Sequence, residues 1–132
     1  SDPDRHLEYR MSTVKANDIT NVTGGIPTVK SQQLIPTAWV NFDGTNAITI
    51  RYSEGFSSIT DYGTGQYRVN FTNSMPNTNY AAVASGGAEV SWNGTGTHVP
   101  LLNASWVQIY HVEANSATDP TSVYVIVMGG QA

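Results

Sequence analysis

Residues 39–80, WVNFDGTNAITIRYSEGFSSITDYGTGQYRVNFTNSMPNTNY, alternate apolar with polar side chains between short runs of Gly, Asn and Asp. A period of two is typical of β-strands that bury one face. Asp43-Gly44 marks a tight hairpin turn, because both residue types tolerate positive φ. The pattern predicts four strands, at residues 38–42, 48–52, 56–62 and 67–71, followed by a loop at 73–79.

Three further strands are predicted in the second half of the chain, at residues 80–85, 106–112 and 122–128. The last of these is almost entirely apolar, so we expect it to be central in its sheet and covered on both faces. No stretch of the sequence has a convincing helical period. Many short strands separated by turn residues predict an all-β fold, an antiparallel β-sandwich of jelly-roll-like type formed by residues 37–132.

The first 36 residues differ from the predicted sandwich. Residues 1–10, SDPDRHLEYR, are rich in charge and precede Met11, so we interpret them as a cloning remnant or an upstream linker. The alternative is a native segment that becomes ordered against a partner chain. Residues 11–36 hold too few apolar side chains for a core of their own, and we expect an extended oligomerisation arm that packs on neighbouring chains. The alternative is an arm that lies on its own domain.

Composition and charge exclude several classes of partner. The chain has 132 residues, enough for one domain. Charged residues make up 12 % of it, about half the usual share. With a net charge of −4 and six scattered Lys and Arg, it has no basic stripe for nucleic acid. It contains no cysteine, no signal-peptide pattern and no apolar run near the roughly 20 residues of a membrane span, so we expect no membrane insertion.

The sequence has few features of an enzyme or a metal-binding protein. No serine-nucleophile motif occurs. His111 and Glu113 share a face of a predicted strand, and His98 could approach from a loop to complete a metal site. Structural roles explain these residues more simply, so we predict no catalytic residue, no metal and no cofactor. A glycosidase would need two carboxylates at a fixed separation. The candidates are Glu54, Asp61, Glu89 and Glu113, and nothing in the sequence places any two of them at such a separation.

The richest candidate for ligand binding is residues 86–100, GGAEVSWNGTGTHVP, which we predict to be a loop. Sugars have apolar C–H faces that stack on aromatic rings, and hydroxyls that need amide or hydroxyl partners. The loop offers both kinds of group in Trp92, Asn93, Thr95, Thr97 and His98. The alternative is a hairpin whose Trp92 caps the sandwich. Trp106, Tyr110 and Tyr124 could add further rings to this site, but they lie on predicted strands, which favours core or inter-chain packing for them.

Two strings of residues resemble a known family. AWVNFDGT at 38–45 and SSITDYGTGQYRVNFTNSMPNTNY at 57–80 are similar to a module of short tail-fibre-type proteins of bacteriophages and prophages, and STVKANDITNVTGG at 12–25 resembles their opening. The family pattern often has Asn-Val where this chain has Gly55-Phe56, and Asp-Asn where it has Asp61-Tyr62. The resemblance implies a virion component that forms a homotrimer. It implies neither a known ligand nor a catalytic residue, and it ends at Tyr80.

The expected function is therefore that of a non-enzymatic tail-fibre-like virion protein that binds a host-cell surface receptor, a glycan or a protein. The alternatives are a purely structural virion part, such as a head decoration or tail-hub appendage, and a small glycan-processing enzyme. The expected partners are further copies of the chain, other virion proteins and the bacterial receptor. The expected location is the virion, assembled in the cytoplasm of the bacterial host.

Overall fold

The computed structural model describes residues 12–29, 32–87 and 94–130, and these form strands, turns and extended segments without a helix. No helix in this described part is therefore long and apolar enough to cross a membrane. The strands are β1 (Thr28–Val29), β2 (Gln32–Gln33), β3 (Ala38–Asp43), β4 (Thr49–Glu54), β5 (Phe56–Gly63), β6 (Gln66–Phe71), β7 (Tyr80–Gly87), β8 (Gly96–Leu102), β9 (Trp106–Glu113), β10 (Ser116–Ala117) and β11 (Ser122–Gly129).

Two antiparallel sheets pack face to face, which confirms the predicted antiparallel β-sandwich. We call the sheet with strand order β4-β3-β11-β7 the first sheet. The second sheet has the order β10-β9-β6-β5, and β8 also pairs with β9. The hairpin predicted from Asp43-Gly44 is present as the antiparallel pair of β3 and β4.

The core comes from the inward-facing half of each alternating strand. In the first sheet, Ala38, Val40 and Phe42 are at most 2 % exposed, and Val125 of β11 lies opposite Val40. The second sheet faces them with fully buried side chains of β6 and β9, which include Tyr67, Val69, Val107 and Ile109. Burying each such side chain stabilises the folded chain by about 1.5–3 kcal/mol. The core is therefore formed mainly by the apolar positions of the alternating strands.

The expectation that both faces of β11 are covered is not met within the single chain. The strand is central in the first sheet, between β3 and β7, as predicted. Its second face is open in the chain described here, because Tyr124 is 46 % exposed and Ile126 is 45 % exposed. An unbroken apolar run is compatible with two covered faces or with one covered face and one apolar surface, and the sequence pattern does not separate these cases.

The stretch 86–100, predicted to be a loop, instead contains β8 at its end. Gly96–Leu102 pairs with β9, and its register shifts between His98 and Leu101, around Pro100. Proline donates no ladder hydrogen bond and is tolerated at an edge or a bulge, which is where β8 lies. The Gly, Thr and Pro residues of this strand hide its alternation in the sequence.

The turn after β3 differs in detail from the expectation. The left-handed residue there is Asn46, with φ of 33°, while Gly44 is not among the residues with positive φ. Gly44 is needed for close approach instead: a Cβ at this position would lie 2.5 Å from the Tyr67 hydroxyl. Glycine therefore permits the end of the first sheet to touch a side chain of the second.

The segment before β3 is attached to the end of β11. The Thr37 N–H donates to the Val127 carbonyl at 2.7 Å, and the Thr37 hydroxyl donates to Gly129 O at 2.8 Å. In addition, Gln33 Oε1 accepts a hydrogen bond from the Gly129 N–H at 3.2 Å. Farther toward the N-terminus, Val14 and Val22 are exposed to solvent. Residues 1–10, interpreted above as a remnant or linker, lie outside the described residues.

Candidate functional site

The outer face of the second sheet brings together side chains from four strands. In the register of β6 and β9, Arg68 lies opposite Gln108 and Asn70 lies opposite Trp106. On the other side of β6, Arg68 lies opposite Thr60 of β5. Because residues opposite each other in an antiparallel pair share a face, these side chains all point away from the core.

The Arg68 guanidinium lies between two aromatic rings. Its central carbon is 3.9 Å from the centroid of the Tyr62 ring and 4.0 Å from the centroid of the Trp106 ring. Its Nε–H donates to Gln108 Oε1 at 3.0 Å. Such cation–π contacts are worth about 0.5–2 kcal/mol each, and together with the hydrogen bond they restrict the rotamers of Arg68. The result is a fixed cation framed by two rings.

This arrangement borders an open groove of about 450 Å³. We call this group of side chains the arginine shelf. It consists of Tyr62, Arg68, Trp106, Gln108 and Leu101. Leu101 is 53 % exposed and Tyr62 is 53 % exposed, so an apolar side chain and a ring are both available to a ligand. The groove itself is lined by Tyr62, Arg68, Leu101 and Gln108 of the shelf, together with Gln66, Tyr110 and Pro100.

Neutral polar groups continue the surface next to the shelf. Asn70 Nδ2 donates to the Ser58 hydroxyl at 3.1 Å and to the Thr60 hydroxyl at 3.0 Å. These bonds order a row of amide and hydroxyl groups along β5 and β6. Rings beside neutral hydrogen-bonding groups suit a polyhydroxylated ligand, since such a ligand has apolar faces and hydroxyl edges.

The turn between β5 and β6, which carries Tyr62 at one end, is anchored by Asp119. The Gly65 N–H donates to Asp119 Oδ1 at 2.7 Å. The Tyr67 hydroxyl lies 2.9 Å from the same oxygen and 2.7 Å from the Gly44 carbonyl. Burial, and next the contact with the Asp119 carboxylate, raise the pKa of Tyr67 far above its ordinary value. The hydroxyl therefore stays protonated and holds the turn in place.

Of the five residues predicted as a ligand site, the three that the structure describes do not form one cluster. Trp92 and Asn93 lie outside the described residues. Thr95 is half-buried just before β8, and Thr97 turns inward, where its hydroxyl lies 2.7 Å from His111 Nδ1. His98 is exposed opposite Tyr110, which lines the groove. His98 therefore lies on the outer face of the second sheet, which carries the arginine shelf.

The second sheet separates His98 from His111 and Glu113, the other two residues considered for a metal site. His111 Nε2 and Glu113 Oε1 are 3.0 Å apart in the interior, at side-chain exposures of 0 % and 5 %. His98 belongs to the opposite, outer face of the second sheet. Within the described ranges, no three His, Asp or Glu side chains converge to hold a metal ion. The inward pair and Thr97 instead form a buried hydrogen-bonded chain between the sheets.

The carboxylates considered for glycosidase chemistry lie in separate surroundings. Glu54 is exposed on β4 beside Tyr52, while Glu113 is paired with His111 in the interior. Asp61 Oδ1 accepts a hydrogen bond from the Gly63 N–H at 3.0 Å. Glu89 lies outside the described residues. The three that are described thus have three different partners.

A second surface lies on the outer face of the first sheet. Trp39 and Tyr52 stack with ring centroids 5.0 Å apart. Beside them runs a groove of about 400 Å³ whose lining includes Pro36, Trp39, Tyr124 and Ile126. We call Trp39, Tyr52, Tyr124 and Ile126 the apolar face. The position of Tyr124 on a strand predicted core or inter-chain packing, and within one chain its ring is on the surface.

Of the residues of the arginine shelf, the sequence pointed only to Trp106, as a ring that could add to a ligand site, and it did not group Trp106 with Arg68. Arg68 was visible as the polar member of the alternating Tyr67-Arg68-Val69, but its neighbours depend on strand order and register. Trp106, expected in a core or an inter-chain contact, packs on Arg68 at the surface. Comparison of the chain with protein-family models, with curated proteins and with solved structures finds no match.

Proposed function

We propose that this chain is a tail-fibre-like virion protein of a bacteriophage or prophage that binds a glycan on the host-cell surface without cleaving it. The observation that carries the binding half of the proposal is the arginine shelf: a fixed guanidinium, two rings and an open groove on one sheet face. The strings at 38–45 and 57–80, which resemble tail-fibre proteins, support the virion half. The proposed location is the virion, after assembly in the cytoplasm of the host.

Two properties of the surroundings favour a sugar over a charged macromolecule. The groups beside the shelf are neutral amides and hydroxyls of Ser58, Thr60 and Asn70. The whole chain has only six Lys and Arg against ten Asp and Glu. The surface outside the shelf would therefore repel a polyanion such as nucleic acid. Binding without cleavage is supported by the separate surroundings of Glu54, Asp61 and Glu113.

The proposal is tested by adsorption of the labelled protein to a panel of bacterial strains and to their purified surface polysaccharides. The variant Tyr62→Ala removes a shelf ring that is 53 % exposed. Its control is Thr78→Ala, in the exposed loop before β7 and outside both the shelf and the apolar face. We expect Tyr62→Ala to weaken adsorption at least about tenfold at an unchanged oligomeric state, and Thr78→Ala to leave it intact. Equal adsorption by both variants would place the binding site elsewhere.

A second candidate function is a purely structural virion part that contacts other virion proteins. The apolar face favours it, because Tyr124 and Ile126 are nearly half exposed next to Trp39 and Tyr52. Exposed apolar clusters of this kind are typical of interfaces. A correctly assembled protein that adsorbs to no bacterial surface in the panel, and co-purifies with virion proteins, would favour this function over the first.

A further inference from the structure

Arg68 is a cation without a carboxylate partner in the described part of the chain. The contacts found there between a basic or imidazole group and a carboxylate join Arg51 to Asp43 and His111 to Glu113. The Nε–H of Arg68 is bonded to Gln108, and no hydrogen bond from its two terminal nitrogens to another described residue is present. Both ring centroids lie within 4.0 Å of the central carbon of the guanidinium, so the terminal N–H groups are its remaining donors for a ligand.

The residues that face Arg68 leave its charge uncompensated. Thr60 lies opposite it on β5 and Gln108 opposite it on β9, and both are neutral. The nearest carboxylate along β5 is Asp61, whose Oδ1 accepts from the Gly63 backbone N–H. A guanidinium held between rings loses part of its hydration, and an anionic acceptor then restores hydrogen bonds at its edge.

We propose that the arginine shelf recognises an acidic sugar, whose carboxylate or phosphate accepts hydrogen bonds from the terminal nitrogens of Arg68. This inference rests on the proposed glycan-binding function and names the chemistry of the ligand. The planar fork of a guanidinium matches two oxygens of a carboxylate or a phosphate. The sugar ring then lies along the groove, with its C–H face on Leu101 and the exposed ring of Tyr62.

Preorganisation is the reason that one arginine suffices. A free arginine loses rotamer entropy when it binds an anion, but the rings and Gln108 already hold Arg68 in the structure without ligand. The chain as a whole has a net charge of −4, so long-range attraction for an anion is weak. Recognition therefore depends on contact at the shelf and not on a general basic field.

The test is a binding titration with pairs of oligosaccharides that differ only in the acidic group. One pair is a uronic-acid oligosaccharide and its carboxyl-reduced neutral form; the other is a phosphorylated oligosaccharide and its dephosphorylated form. We expect the wild-type protein to bind at least one acidic member about tenfold or more tightly than its neutral counterpart. The pair that shows the preference tells carboxylate from phosphate.

Two arginine variants locate the effect. Arg68→Gln should abolish the preference for the acidic member and leave weaker, equal binding to both. Arg51→Gln removes the same charge from the first sheet, where Arg51 is bonded to Asn41 and Thr121, and should keep the preference. The preference of the wild-type protein for the acidic oligosaccharide, and the loss of that preference with added salt, are measured without any variant. They therefore test the inference even if Arg68→Gln fails to fold.

The inference and the proposed function fail in different ways. Equal affinity of the wild-type protein for acidic and neutral members, with binding still lost in Tyr62→Ala, would overturn the inference and leave glycan binding in place. A preference that persists in Arg68→Gln would also overturn it. Absence of wild-type binding to every surface polysaccharide and every oligosaccharide would overturn both.

Discussion

Tyr67 joins the two sheets through its hydroxyl group. The ring is fully buried on β6, and the hydroxyl reaches the Gly44 carbonyl after β3 and the Asp119 carboxylate before β11. Tyr67→Phe removes this hydroxyl and leaves a buried carbonyl without that partner. We expect the free energy of unfolding to fall by about 1–3 kcal/mol, measured by urea denaturation at neutral pH.

The same hydroxyl predicts how stability depends on alkaline pH. The pKa of Tyr67 is higher in the folded chain than the value of about 10 in an unfolded one, mainly because of burial. The unfolded state therefore releases this proton first, so the stabilisation is present below about pH 10 and declines as the pH rises above it. Tyr80, whose pKa burial also raises, acts with the same sign.

The measurement is the urea midpoint of wild type and Tyr67→Phe between about pH 8 and about pH 11. We expect the gap between the two proteins to narrow as the pH rises, since only the wild type loses the contribution of Tyr67. A gap that stays constant across this range would show that Tyr67 ionises as easily in the folded chain as in the unfolded one.

His111 illustrates a residue whose role depends on which way its strand faces. Its ring bridges Thr97 and Glu113 with no exposure to solvent. His111→Ala leaves Glu113 buried without this partner, and we expect a loss of about 3 kcal/mol in the free energy of unfolding. His98→Ala, on the exposed face of the neighbouring strand, should change it by less than about 0.5 kcal/mol. Equal urea midpoints for the two variants would contradict this assignment.

At the scale of elements, the turn between β5 and β6 is the best test of how the site is positioned. Gly65 has φ of +68°, and a Cβ there would collide with the His111 carbonyl and press on the Thr118 backbone at 3.0 Å. Gly129 has φ of +81° with open space around it. Gly65→Ala therefore combines strain with a backbone clash, while Gly129→Ala has strain alone.

We expect Gly65→Ala to lower the melting temperature clearly more than Gly129→Ala, with a loss of more than about 2 kcal/mol against about 1 kcal/mol. Because the turn carries Tyr62, Gly65→Ala should also weaken glycan binding. Similar melting temperatures for both variants would mean that Gly65 does not lie against the His111 and Thr118 backbone as described.

The elements themselves were largely predictable because their alternation is local. The strands at β3, β4, β6 and β9 follow from side chains that the sequence shows directly, such as Val40 and Val69. Strand β8 was missed because Gly96, Thr97 and Pro100 obscure the pattern. The arginine shelf was not predictable, since the contact of Arg68 with Trp106 depends on β6 and β9 being neighbours in register.

At the scale of the whole molecule, the apolar face predicts self-association. Tyr124 and Ile126 are 46 % and 45 % exposed on a central strand, and the described residues of the chain do not cover them. We expect the protein to have three times the mass of one chain in sedimentation at about micromolar concentration, and Ile126→Lys to reduce it toward the monomer. Thr78→Lys, which adds the same charge in an exposed loop, should leave the mass unchanged. A wild-type protein that stays monomeric would contradict the proposed homotrimer.

The most direct measurement is a nuclear magnetic resonance titration with the surface glycan that the protein adsorbs to, observing the arginine Nε–H and tryptophan indole signals. Arg68 and Trp106 lie on the arginine shelf, whereas Arg51 and Trp39 lie on the first sheet as internal controls. We predict saturable shifts of the Arg68 and Trp106 signals, with those of Arg51 and Trp39 unchanged. Shifts confined to Trp92 would move the site to residues 86–100, and shifts confined to Trp39 and Arg51 would move it to the first sheet; either result would contradict the assignment of glycan binding to the arginine shelf.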